Sequence, residues 1–284
     1  MLSYGVEPVR IATYNVHNYN LSGRRVEGIY RKNYPKPEAS KAALRKVLMK
    51  ANADVVALQE IGNDAYLEEL QRDLKKDGLN YPYRALVEGP DQHRKVAVLS
   101  KQRWKHLVEK RALVFSYNGE PTPVKRGLLG VVFEDDAGEW AVFILHLKGK
   151  FTEDKADPIS RERRRKEAFA IRDWITHVFP PTHGARYVIT GDWNDDPQSP
   201  SMRAFLKKGK ANIGTLITPV DSRGERWTHY YANKDIYSRV DYFVASPEFA
   251  KNLKMQSSRI LDLPEWNLAS DHRLAYIEWS PESD

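Results

Sequence analysis

The order of apolar segments predicts an α/β protein with a mixed sheet. Short runs rich in β-branched residues alternate with longer stretches of helical period, as in sheets covered by helices. Two of those runs, 128–133 and 140–147, are joined directly across Asp135-Asp136-Ala137-Gly138, a connection that makes neighbours antiparallel and disfavours a pure doubly wound fold. There is no internal repeat, low-complexity tract or Gly/Ser linker, so residues 1–284 read as one domain.

Taken in order, strands are expected at 9–16, 55–58, 96–100, 128–133, 140–147, 187–190, 240–245 and 274–279. The helix expected at 37–51 opens on Pro37, which the first turn tolerates, and carries an apolar stripe of Ala42, Ala43, Val47 and Leu48. Further helices are expected at 64–76, at 160–178 with Ala168, Ile171 and Trp174 turned inward, and at 201–207. The stretches 18–36 and 109–125 are polar and aromatic without clear period, and read as loops of a size often used for binding.

Composition narrows the chemistry. Hydrophobic residues at 41% and charged residues at 29% place the chain among folded rather than disordered sequences. The absence of cysteine excludes disulfides, thiolate nucleophiles and sulfur-ligated metals, so a metal ion must be held by oxygen and nitrogen. No apolar run reaches the roughly 18 residues of a membrane span, so no integral membrane association is expected. Met1 to Arg10 lack the pattern of a secretory leader; a secreted or periplasmic location is expected if a leader has been removed, a cytoplasmic one otherwise. The 45 Lys and Arg against 38 Asp and Glu give a charge of +7, which favours polyanions.

The polar residues that matter fall at strand ends, where active sites collect. YVITGDWNDDP delivers Asp192 and Asn194 two residues apart, on one side if the strand continues, with Trp193 on the other. Asp195 and Asp196 that follow read as an acidic turn. SRVDYFVAS puts Asp241 in an apolar strand, where an unpaired carboxylate is costly; His272 of LASDHRLAY is its natural partner, and Arg239 the plain alternative. Asp271 beside it is a candidate metal ligand. TYNVHN brings Asn15 and His17 to a strand end, and ALQEIG brings Glu60, a carboxylate suited to Mg²⁺. LHLKGKF ends a strand in His146, a candidate general acid flanked by Lys148 and Lys150.

With these motifs in place, from residue 11 to 274, the chain resembles the endonuclease/exonuclease/phosphatase superfamily, which includes deoxyribonuclease I, exonuclease III, abasic-site endonucleases, neutral sphingomyelinases and inositol polyphosphate 5-phosphatases. The resemblance implies a four-layered α/β sandwich, two mixed sheets face to face with helices outside and the site at one rim. It implies one or two Mg²⁺ or Mn²⁺ ions, with Glu60 as ligand and Asn15 and Asp271 near the first or a second metal. Asp192 would orient or deprotonate water, Asn194 hold the phosphate, and the Asp241–His272 pair stabilise the transition state. His146 stands where deoxyribonuclease I-like and sphingomyelinase-like members have His and abasic-site members Tyr; His17 stands where repair members have an acid. Both turn the expectation from abasic repair to a general nuclease. The segment PVKRGLLGVVF is similar to bacterial members in which a basic residue reaches phosphate, which nominates Lys125 and Arg126, with Lys148 and His17 beside them.

The function expected is therefore a Mg²⁺-dependent phosphodiesterase that cuts DNA, with RNA as a second substrate, acting as a monomer. The basic helix 160–178 reads as a solvated face rather than a nucleic-acid grip. A sphingomyelinase-type lipid phosphodiesterase is the alternative, set back because no exposed apolar hairpin or amphipathic anchor is read in the sequence. The Trp-Cys-Asp-Arg motif of the inositol phosphatases cannot exist in a chain without Cys, and a binding module would be expected to have lost Glu60, Asp192 or His272.

Overall fold

A computed structural model describes residues 7–280; the leader reading rests in part on residues 1–6, outside the described residues. In chain order the main strands are β1 (Val9–Tyr19), β2 (Val55–Ile61), β3 (Tyr83–Val87), β4 (Lys95–Ser100), β5 (His106–Lys110), β6 (Leu128–Asp135), β7 (Gly138–His146), β8 (Arg186–Asp192), β9 (Thr215–Ile217), β10 (Asp241–Ala245), β11 (Arg259–Ile260) and β12 (Ala275–Trp279). They form two six-stranded mixed sheets, ordered β11-β12-β1-β2-β4-β3 and β9-β10-β8-β7-β6-β5. All eight strands expected from the sequence are present, with small shifts at their ends. So are the four helices, α1 (Glu38–Ala51), α2 (Asp64–Lys76), α3 (Arg161–Val178) and α4 (Pro200–Leu206).

Alternation along the strands builds the layers, because successive side chains point to opposite faces. In the first sheet Ile11, Val55, Ala57, Val96 and Val98 face the second sheet, meeting Leu129, Val131, Val142, Ile144 and Phe243. Their neighbours Ala12, Val56, Leu58, Ala97 and Leu99 face α1 and α2, which answer with Leu44, Leu48, Leu67 and Leu70. On the far side Ala141, Phe143, Leu145 and Tyr187 meet Ala168, Ile171 and Ile175 of α3. The result is the four-layered α/β sandwich, and each fully buried aliphatic side chain in it contributes about 1.5–3 kcal/mol.

Each sheet has one parallel contact, β1 with β2 and β7 with β8. The carboxyl ends of these four strands reach one rim, and that rim carries the site.

The stretches read as loops are more ordered than expected. Residues 18–36 hold a hairpin of Ser22–Val26 and Ile29–Tyr34, and 109–125 a hairpin of Val114–Tyr117 and Glu120–Pro123. Their turns, Glu27-Gly28 and Asn118-Gly119, both have positive φ at both residues, the geometry of a tight two-residue hairpin, so Asn118-Gly119 was a readable signal. Near the turn of the first hairpin Ile29 and Tyr30 are 60% and 65% exposed, among the basic residues Arg24, Arg25, Arg31 and Lys32.

Candidate active site

Strand register alone sets three candidate side chains side by side. Parallel pairing of β7 with β8 puts His146 beside Asp192, and antiparallel pairing of β8 with β10 puts Asp241 on its other flank. The residue before, Gly191, has φ +137°, and a Cβ there would lie 2.0 Å from the carbonyl oxygen of Leu145. Only glycine lets the two strands approach this closely. Beyond Asp192 the chain turns, burying Trp193 against Phe205 and Tyr242 and placing Asn194 at φ +53°.

One oxygen of Asp192 is the hub. Oδ2 accepts from Asn15 Nδ2 at 3.0 Å and Asn194 Nδ2 at 3.3 Å, with His146 Nε2 at 3.4 Å and His272 Nε2 at 3.9 Å. Oδ1 accepts from Asn194 N at 2.7 Å. Burial, then the neighbouring Asp241 charge, raise the Asp192 pKa to about 7, against the pull of His272. Asn194 Nδ2 also donates to the carbonyl of Leu147 at 3.0 Å, so in this arrangement Asn194 steadies Asp192.

His272 is held as a cation. Its Nδ1 lies 2.8 Å from Asp241 Oδ2, and although burial opposes its charge, the Asp241 carboxylate, with Asp192 and Asp271 behind it, raises its pKa to about 10. Asp241 therefore pairs with His272; Arg239 turns away to Thr218 Oγ1. Thr228 Oγ1 accepts from the backbone of both Val240 and Asp241, and Ser270 Oγ bridges the Asn15 carbonyl and the His272 amide. His146 is the opposite case. Burial first, and Arg126 and Arg94 next, hold its pKa well below the ordinary range, so it is a neutral ring and not a charged acid.

The first sheet supplies oxygen donors. Glu60 sits at φ +63° in a bulge of β2, and its Oε2 accepts from Asn18 N at 3.0 Å, while Arg94 Nε lies 3.4 Å from Oε1. Asn15 Oδ1 accepts from His17 N at 3.0 Å. Positive φ at His17, Asn18, Glu60 and Asn194 concentrates backbone strain at this rim, as functional sites often do. Asp271 is flanked by His17 Nδ1 at 3.5 Å and His229 Nε2 at 3.8 Å; burial opposes its charge, and His272, His17 and His229 restore it.

These residues fit a hard divalent cation. Glu60, Asn15 Oδ1 and Asp271 offer oxygen donors, and Asp271 is half-buried with its pKa held down, against burial, by the neighbouring histidines. Asp192, Asp241 and His272 also offer ligand atoms within 4.8 Å of one another. Asp241 and His272 are already engaged with each other, however, which leaves the Glu60 side as the freer set of donors.

The basic residues expected at phosphate divide differently. Arg126 is buried, with Nε on Asp91 Oδ2 at 3.1 Å and Nη1 on the Leu147 carbonyl at 3.0 Å, and the ammonium of Lys148 donates to the carbonyls of Gly149 and Phe151. Both charges are used inside the protein. Lys125 and His17 remain partly open.

Sequence reading missed Glu167, which lies on α3, is fully buried, and accepts from the backbone amides of Lys125 and Lys148 at 3.1 and 2.8 Å. It also missed Asp91, Arg94, Thr228 and His229, which no local motif marks. Within the helix read as a solvated face Arg164 is an exception: it is buried and paired with Asp195 at 3.0 Å, which makes Asp195 more than a turn residue.

The fold agrees with that of known proteins. A protein from Bacteroides vulgatus described as an endonuclease/exonuclease/phosphatase superposes with a TM-score of 0.69 at 16% identity, over 98% of this chain and 100% of that one. The human nocturnin catalytic domain with bound sulfate gives 0.64 at 19% over 97% and 96%, and a mannosyl-6-phosphatase from Bacteroides thetaiotaomicron 0.63 at 17% over 95% and 98%. No curated protein matches the sequence. Residues 12–272, from the first strand to His272, match the Endonuclease/Exonuclease/phosphatase family, and this chain belongs to that family of divalent-metal-dependent phosphoester hydrolases.

Proposed function

We propose that this protein is a nuclease that hydrolyses backbone phosphodiesters of DNA, and of RNA, with Mg²⁺ or Mn²⁺ as cofactor. The observation that carries the reading is Asp192 facing His272 at 3.9 Å. A carboxylate with a pKa near 7 can take a proton from water, and an imidazolium fixed by Asp241 can stabilise the charge gathering on the phosphorus oxygens. Asn15 and Asn194 aim the carboxylate, and neutral His146 borders it. A divalent cation held by Glu60, Asn15 and Asp271 would supply further positive charge against a phosphate oxygen. The preference for nucleic acid rests on the charge of +7.

Lipid phosphodiester hydrolysis is the second reading, favoured by Ile29 and Tyr30 exposed near a hairpin turn.

Plasmid nicking tests the proposal. Cleavage is expected with Mg²⁺, is abolished by EDTA, and falls by about 10²–10⁴ in Asp192→Ala and His272→Ala. Release of phosphocholine from sphingomyelin with the plasmid left intact would move the assignment to the second reading.

A further inference from the structure

Next to the proposed catalytic centre, and sharing Asn194 and His272 with it, lies an open cleft of about 540 Å³ whose remaining lining is mostly without a role in the hydrolytic chemistry. The lining is mainly apolar. One wall is a hairpin, His229–Tyr231 paired with Ile236–Ser238, in which Tyr231 stands opposite Ile236 and His229 opposite Ser238. These four residues share a face and all line the cleft. The alternate pair, Tyr230 and Tyr237, stack on each other at 4.5 Å on the other face, where Tyr237 meets Trp227 at 4.8 Å and Tyr230 meets Trp266 at 6.2 Å. Arg273 locks that backing, lying 3.5 Å over the Trp227 ring and bonded to Asp221 at 2.9 Å. The hairpin is thus a braced wall. Phe151, 84% exposed, and Ile159 belong to the lining outside the hairpin. Lys150 and Lys234 also line the cleft.

We infer that this cleft seats an unpaired nucleobase next to the scissile phosphate, and that the enzyme therefore prefers single-stranded nucleic acid or frayed ends to continuous duplex. The inference rests on the nuclease reading and names its substrate class. An exposed planar ring has a large apolar face and little to pack on, and flat bases are what such rings bind in single-strand-binding proteins. The volume lies in the range of small-molecule pockets, and the two lysines supply charge for flanking phosphates. A paired base cannot reach such a cleft without first leaving the stack.

Phe151→Ala and Tyr231→Ala test this against the wild-type protein. Three probes are compared: a single-stranded oligonucleotide, its blunt duplex, and a single strand in which the bases flanking the cut site are replaced by hydrogen. Binding is read by fluorescence anisotropy in EDTA, and cleavage with Mg²⁺. The wild type is expected to bind and cut the single strand best. Each variant should weaken single-strand binding by about 5- to 150-fold, the range found for loss of a stacking ring, chiefly through KM rather than kcat. The duplex and base-free probes should be unaffected by either substitution. Both side chains reach the surface, so retained cleavage of the base-free probe also reports that the variants fold. Equal use of single strand and duplex, with variants that match wild type, would overturn the inference and leave the nuclease reading standing. Failure to cut any of the three probes would overturn both.

Discussion

Asp192 and His272 share a microenvironment but hold opposite proton states, and this sets the expected pH dependence. In the proposed reaction Asp192 acts ionised, so kcat/KM should rise as pH passes upward through about 7, and His272 acts protonated, so activity should fall as pH passes about 10. The two limbs belong to the coupled group rather than to single residues. A cation at the Glu60 side lowers the pKa of nearby carboxylates, so added Mg²⁺ should move the acid limb to lower pH. Asp241→Asn removes the charge that outweighs the burial of His272, and should bring the alkaline limb down toward neutrality. A profile of kcat/KM from pH 5 to 11 that leaves the alkaline limb in place for that variant would refute the assignment of His272. At this scale the sequence was informative where polar residues fall in or at the ends of apolar strands: Asp241 announces itself because an unpaired carboxylate in a core is costly, Asp192 by ending a strand, and His272 as the partner Asp241 needs. Glu167 and His229 do not, because each reaches the site only through tertiary packing and sits in an otherwise ordinary helix or aromatic run.

The elements convert these residues into a geometry, and the tightest joint is the parallel contact of β7 and β8. Gly191→Ala places a Cβ into the Leu145 carbonyl and at a φ that L side chains rarely adopt. The strands must separate one residue before the pair His146 and Asp192. A loss of roughly 2–4 kcal/mol in stability is expected, with a Tm lower by at least about 5 °C and activity lost at temperatures where circular dichroism still shows a folded protein. An alanine variant with wild-type Tm and turnover would mean that this contact does not position the site. Long helices and central strands were legible because period and apolar content coincide there. The hairpins at 22–34 and 114–123 were not taken from their turns, since polar, exposed strands carry weak alternation. The strands β3, β5, β9 and β11, all at sheet edges, are equally quiet.

For the molecule as a whole, stacking two sheets face to face is what brings Asn15 of the first within 3.0 Å of Asp192 of the second. Period alone predicts that strands are buried, and it took the family resemblance to say that two sheets meet. The excess of positive charge acts at this scale too, since it spreads over the surface instead of residing in one contact. If the substrate is a nucleic acid, each phosphate neutralised by Lys or Arg releases counterions, and three to four such contacts on duplex give a log–log slope of about −3. A rise in salt from 50 to 200 mM should then weaken DNA binding by roughly 50- to 100-fold, while hydrolysis of a small uncharged-tail phosphodiester changes little. The base-binding cleft makes a separable contribution, because stacking an uncharged ring releases few ions. Phe151→Ala should displace the line of log affinity against log salt downward on a single strand without changing its slope, whereas Lys150→Ala, which removes a charge beside the same cleft, should flatten it. If Phe151→Ala alters the slope as much as Lys150→Ala does, the cleft binds phosphate rather than base; a flat line for the wild type would mean that backbone charge does not govern the substrate, and that the positive surface serves something other than nucleic acid.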